Sequence, residues 1–157
     1  MMVKKTLVLG LGNTICGDDG VGIFAARAFK KENRSSFVDV GETQEAGINL
    51  LGLMTGYHKA VLIDSILTQK GKLGVIQRLT KDHLRRASGH HSSHEIGLAT
   101  LLEMAKRLEI EMPGEIVIYA VAIKNKDAFC ERLAPVLRKA IPELVRLIRG
   151  EVNGYGH

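Results

Sequence analysis

The chain has 157 residues, 45% of them hydrophobic and 25% charged, enough for one domain with one sizeable core. No run approaches the ~20 apolar residues that a membrane-spanning helix needs, so no membrane is expected. The net charge of +5 is too mild and dispersed to argue for nucleic acid by itself, and with only 4% aromatic residues a stacking platform for single strands is not expected.

The chain starts with MMVKKTLVLGLGN, which passes from two lysines directly into a strand-like run. It has no small-residue cleavage site, so no signal peptide is expected. Cys16 and Cys130 lie far apart and suggest no disulfide framework. A reducing cytoplasm is the expected setting.

Strand and helix patterns alternate. Lys5 to Gly12 is a continuous apolar run ending in glycines, as in a buried parallel strand. A helix is predicted from about Asp19 to Lys31, with Val21, Phe24, Ala25, Ala28 and Phe29 inward. Phe37 to Val40 reads as a second strand and Gly47 to Met54 as a short helix. Lys59 to Asp64 is a third strand closed by a charge, and Leu73 to Leu79 a fourth. Ser92 to Leu108 is a helix opening on capping-box spacing, Ser92 to Glu95, with Ile96, Ala99, Leu102 and Ala105 in helical period. Glu115 to Ile123 is a fifth strand. Pro135 to about Arg149 is an amphipathic helix with Leu137, Ile141, Leu144 and Ile148 on one face. Pro135 suits its first turn, whereas Pro142 is expected to kink or restart it. The tail from about residue 151 to 157, with two glycines, is expected to fray. The fold class is therefore α/β: a single-domain three-layer sandwich with a mostly parallel, five-stranded twisted sheet and helices on both faces. No apolar helix face is left over, so a monomer is expected.

Sites in such folds form at the carboxyl ends of strands, and three groups fall there. The first is the loop GLGNTICGDDGVG, Gly10 to Gly22. It fails as a dinucleotide fingerprint, because the third glycine would have to be Ile15. It fails as a phosphate loop, because Asp18 stands where a lysine belongs and would repel phosphate. A cation suits it better. Either Asp18 or Asp19 could simply cap the following helix, which would leave the other to point out of the loop. The second group is Asp64, after the apolar run Ala60-Val61-Leu62-Ile63; a polar residue opening a surface turn would look the same. The third is His94, in a first helical turn. That position disfavours imidazolium and keeps a histidine neutral near pH 7 and able to bind metal. His90 and His91 are rival ligands or plain loop residues. Two carboxylates and an imidazole suit nickel, zinc, manganese or iron, and three protein ligands leave coordination positions open. No serine sits in a G-x-S-x-G elbow, and the acidic neighbours of Cys16 disfavour its thiolate.

With these residues in view, the sequence resembles the maturation endopeptidases of nickel–iron hydrogenases. The resemblance spans nearly the whole chain and rests on GLGNTICGDDGVG, on VLIDSI and on SSHEIGL, in that order. It implies a fold of the phosphorylase/hydrolase-like kind and a peptidase that clips a short C-terminal peptide from the hydrogenase large-subunit precursor once nickel has been inserted. It implies that Asp19, Asp64 and His94 bind the metal. The nickel is carried by the precursor as a recognition signal, and other divalent metals could substitute. Asp19 and Asp18 are the catalytic candidates, and Gly12, Asn13, Glu42 and Thr43 the substrate-binding ones. Two mechanisms fit: the metal polarises the scissile carbonyl or activates water, or a carboxylate of Asp18 or Asp19 acts as base on water. Where the family has a Gly-Gly-Thr-x-Gly-like turn after the second strand, this chain reads GETQEAG, Gly41 to Gly47, and the segment KNKDAFCERLAPV lacks the expected prolines and glycines.

Two rivals use the same residues differently. A non-catalytic metal-binding or metallochaperone module would share the three ligands and cut nothing. A peptidyl-tRNA hydrolase opens with a similar Gly-Leu-Gly-Asn strand end. It would carry Pro-Gly after Asn13, where this chain has Thr14-Ile15-Cys16.

Overall fold

Strand β1, Thr6–Leu11, is buried along its whole length, and its side chains alternate between two separate cores. Val8 faces one and Leu7, Leu9 and Leu11 the other, as the period-2 pleat requires. The computed structural model describes residues 4–45, 48–68, 71–86, 93–124 and 132–154, with the backbone alone for 84–86 and 93–97. The strands β2 (Val38–Thr43), β3 (Lys59–Leu67), β4 (Ile76–Thr80) and β5 (Glu115–Ile123) join β1 in one sheet of order β2-β1-β3-β5-β4. All pairings are parallel except β4 with β5.

Helices cover both faces. On one, α1 (Val21–Glu32) and α5 (Pro135–Asn153) pack Val21, Ala25, Phe29, Leu137, Leu144 and Ile148 onto Val8, Val61, Ile63 and the odd-numbered residues of β5. On the other, α2 (Ile48–Met54) and α4 (Ser93–Arg107) pack Leu50, Leu51, Met54, Leu98, Leu101 and Ala105 onto Leu7, Leu9, Leu62, Ile116 and Ile118. Each Val, Leu, Ile, Phe or Met side chain among these contributes about 1.5–3 kcal/mol by leaving water. The α/β sandwich expected from the alternation is the one observed.

Several boundaries differ from the sequence reading, each because a distant partner decides it. Strand β2 runs on to Thr43, since Leu9, Gly10 and Leu11 pair with Gly41, Glu42 and Thr43. Strand β3 does not stop at Asp64. Its register with β1 ends at Ile63, while β5 pairs it through Leu67. Asp64 therefore lies inside a strand, just past the last residue that β1 pairs. A short helix, α3 (Lys81–Arg86), directly follows β4 and was not anticipated. The inward stripe of α4 is Leu98, Leu101 and Ala105, with Ala99 and Leu102 on its flank.

Helix α5 passes through Pro142 without breaking. Pro142 and Arg138 both lie on the exposed side, so water can satisfy the carbonyl that Pro142 leaves without a donor. The helix also continues to Asn153, past the point where fraying was expected. Glu151 holds it there. Its Oε2 accepts from Lys59 Nζ at 2.8 Å and its Oε1 from Tyr119 Oη at 2.7 Å, and Arg78 Nε also donates to Oε1. Lys59 is only 2% exposed.

Burial alone would raise the Glu151 pKa, but hydrogen bonds from Arg78, Lys59 and Tyr119 outweigh it and bring the carboxyl from 4.5 down to about 2. A depressed carboxylate stabilises the fold above its unfolded pKa, and that stability is lost as pH falls from 4.5 towards about 2. Glu151→Gln should therefore cost about 3 kcal/mol near neutrality, because it breaks a buried ion pair. The gap from wild type should narrow in urea melts at about pH 3.

Candidate functional site at the carboxyl edge of the sheet

From β1 the chain goes to β2 by way of α1 on one face, and from β2 to β3 by way of α2 on the other. The carboxyl ends of β1 and β3 thus form the switch point of the sheet, the position at which open α/β sheets place their sites. The loop after β1 lies at this point.

Close backbone packing shapes that loop. Gly12 has φ +139°, and a Cβ on it would lie 2.1 Å from the Asp19 carbonyl oxygen. Asn13 Oδ1 accepts from the Ile15 N–H at 3.1 Å, which makes an Asx turn. The Cys16 N–H donates to the Asn13 carbonyl, and the Asp19 N–H to the Cys16 carbonyl. Residues Gly17–Gly20 then form one 3-10 turn that runs into α1. Gly22, in the first turn of α1, abuts the sheet: a Cβ there would lie 2.2 Å from the Ile63 carbonyl oxygen and 2.7 Å from that of Leu11. Gly12 and Gly22 let this loop and helix sit directly on β1 and β3.

The two aspartates of the loop have separate tasks. Neither caps the 3-10 turn or α1 through its side chain, so the simple capping reading is corrected. Asp18 Oδ1 accepts from the Ala134 N–H at 2.8 Å, at the residue that precedes α5. Ala134 has no side-chain oxygen, and Asp18 engages this helix end from 116 residues away. Asp19 is 8% exposed and turns to β3, where its Oδ1 accepts from Ser65 Oγ at 2.7 Å. Asp64, 5% exposed, accepts on Oδ1 from the Ser65 N–H at 2.8 Å. Ser65 thus touches both carboxylates. The sequence reading passed over it, although a serine between Asp64 and Ile66 in an apolar strand was the visible signal.

His94 lies in the first turn of α4, and its side chain is outside the described residues, as are His90, His91 and Ser92 of the expected capping box. Chain direction still places its backbone. Helix α4 leads to the amino end of β5, so its own N-terminus lies at the carboxyl edge of the sheet. Among the described residues, no three His, Cys, Asp or Glu side chains form a metal-sized cluster; Asp19 and Asp64 are two acidic groups that Ser65 links.

At the end of β2, Arg27 of α1 grips Glu42 with two hydrogen bonds of 2.7 Å and lies 5.7 Å from the centroid of the Phe24 ring. Those hydrogen bonds hold the Glu42 carboxyl below its ordinary range. Thr43 gives its carbonyl to the Gly12 N–H at 3.2 Å and its Oγ1 to the Glu45 N–H at 2.9 Å. The four residues expected to bind substrate, Gly12, Asn13, Glu42 and Thr43, are therefore neighbours along one rim, with Glu42 already paired.

A three-layer α/β domain with buried carboxylates at its switch point is the arrangement of an enzyme that works at a sheet edge. Residues 25–151 match the HycI family, hydrogenase maturation protease, and the chain belongs to that family. The match begins within α1, after the glycine loop. A curated relative, the hydrogenase 2 maturation protease of Escherichia coli (strain K12), is 27% identical over 119 residues, 74% of this chain and 72% of that protein. The solved structure of the hydrogenase maturating endopeptidase HybD from E. coli superposes with a TM-score of 0.79 at 21% identity, covering 97% of this chain and 94% of that one. A [NiFe] hydrogenase maturation protease HybD from Thermococcus kodakarensis gives 0.71 at 23% identity, covering 94% and 98%. The protein is thus a peptidase of hydrogenase maturation. Among the described residues, no helix is long and apolar enough to cross a membrane.

Cys16 is a half-buried free thiol beside this site. Its backbone, not its sulfur, carries the hydrogen bonds that shape the loop. Cys16→Ala should process a hydrogenase precursor at the wild-type rate, measured by mass spectrometry of the products. Complete loss of activity would point to a cysteine nucleophile.

Proposed function

We propose that this protein removes a short C-terminal peptide from the large-subunit precursor of a nickel–iron hydrogenase, in the cytoplasm, and that nickel already held by the precursor is its recognition signal. The observation that carries this reading is the pair Asp19 and Asp64, both buried and both hydrogen-bonded to Ser65 at the switch point of the sheet. Carboxylates are seldom buried unless they are paired, hydrogen-bonded or bound to a metal. With His94 added from the same edge, the set has two anionic oxygens and one nitrogen, which suits a borderline divalent ion such as nickel. Three ligands from this chain leave positions for those of the precursor. Asp18 contributes by holding the loop to α5. Asp19 is the carboxylate placed to serve the reaction itself, as ligand and as acceptor of a proton from the attacking water.

The test is a cleavage assay read by mass spectrometry, with a matched precursor supplied nickel-loaded and nickel-free. Loss of a short C-terminal peptide from the nickel-loaded sample alone is expected. Cleavage of both would discard nickel as the signal. Cleavage of neither would discard this peptidase reading in favour of a metal-binding module.

A further inference from the structure

We infer that Ser65 is a positioning residue that fixes the two carboxylates of the site relative to each other, and that its hydroxyl is needed for metal affinity. This rests on the reading of Asp19 and Asp64 as ligands. Ser65 is 1% exposed and sits in β3 beyond the last residue that β1 pairs. On its other side, the backbone remains in register with β5 at Val121. Past the end of β1, the Ser65 N–H donates to Asp64 Oδ1 at 2.8 Å. Its hydroxyl donates to Asp19 Oδ1 at 2.7 Å, across 46 residues of sequence.

By the pleat of β3, Asp64 falls in line with Ala60 and Leu62, on the face that α4 covers, and Ser65 with Val61 and Ile63, on the face that α1 covers. One residue in a central strand thus restrains a carboxylate from each layer. A serine hydroxyl has a single proton to give, and here Asp19 receives it in a short, charge-assisted bond. Such a bond restricts rotation of the carboxylate plane. A ligand oxygen held in place before metal arrives loses less freedom on binding.

The experiment is titration of the purified full chain with nickel chloride by calorimetry, with melting temperatures recorded in parallel. Wild type, Ser65→Ala, Ser65→Thr and Asp64→Ala are compared. Ser65→Ala should bind Ni²⁺ about 10- to 100-fold more weakly, the usual loss when an outer partner of a ligand is removed. Its melting temperature should fall by only a few degrees, for the donor lost to Asp19, and Ser65→Thr, which keeps a hydroxyl, should recover most of the affinity. Wild-type affinity in Ser65→Ala, with Asp64→Ala silent, would overturn the role of Ser65 and leave the ligand reading standing. A lowered melting temperature with affinity unchanged would assign Ser65 to packing and also overturn it. Absence of nickel binding by the wild type itself would overturn the role of Ser65 in metal affinity, while the ligand reading would still be decided by cleavage of the nickel-loaded precursor.

Discussion

Asp64→Ala should abolish processing of a nickel-loaded precursor and leave a folded protein. The loss should exceed about 100-fold, since removing even an outer partner of a metal ligand costs about 10- to 100-fold. The fold should survive because the β3 backbone at Asp64 remains paired with Ala120 of β5. The main structural cost is an acceptor removed from the buried Ser65 N–H, about 1–3 kcal/mol. Asp19→Ala should behave in the same way, leaving the Ser65 hydroxyl without its acceptor, and so should His94→Ala. Asp64→Asn separates charge from shape. It keeps a carbonyl oxygen for Ser65 and removes the negative charge, so it should be inactive with a near wild-type melting curve. Cleavage assays and thermal melts decide the matter together. Normal activity in any one of these variants would remove that residue from the site.

Gly22→Ala should be strongly destabilising although it sits in a helix. Helix propensity alone favours alanine there by about 1 kcal/mol. Packing opposes it: the new Cβ would lie 2.2 Å from the Ile63 carbonyl oxygen and 2.7 Å from that of Leu11. These are backbone atoms of β1 and β3, in the middle of the sheet, so α1 must move away from it. Overpacking of this kind costs up to about 3 kcal/mol or more, which outweighs the propensity gain. The melting temperature should fall by roughly 10 °C for a domain of this size. The shift would also draw Asp19 away from Ser65, so activity and stability should fall together. A variant that melts at or above the wild-type temperature would show that α1 does not depend on this close approach.

Much of the architecture was legible in the sequence because it follows from local patterns. The run from Glu115 to Ile123 lies between Gly114 and Lys124, and β5 occupies those same residues. The apolar stretch before Gly12 and the amphipathic stretch after Ala134 likewise became β1 and α5. The residue types of the site were also legible: two adjacent aspartates after a glycine-ended strand, and an aspartate following four apolar residues of another. What could not be read was where those elements stop and what their polar groups touch. Strand β3 outlasts β1 because β5 continues to pair it. The last turn of α5 is held by strand residues at positions 59, 78 and 119.

By itself, then, the sequence determined the periodicities, and with them most of the elements, the class of fold and the edge of the sheet where the candidate site lies. Periodicity is a relation between near neighbours, set by the pitch of a helix and the pleat of a strand. Only the tertiary structure decided that Asp18 serves α5 and Asp19 serves β3, and that Ser65 joins Asp19 to Asp64. Two adjacent aspartates are nearly equivalent as letters. They become different groups only when a helix backed by glycine packs against the sheet and gives Asp18 its donor at Ala134 and Asp19 its donor at Ser65.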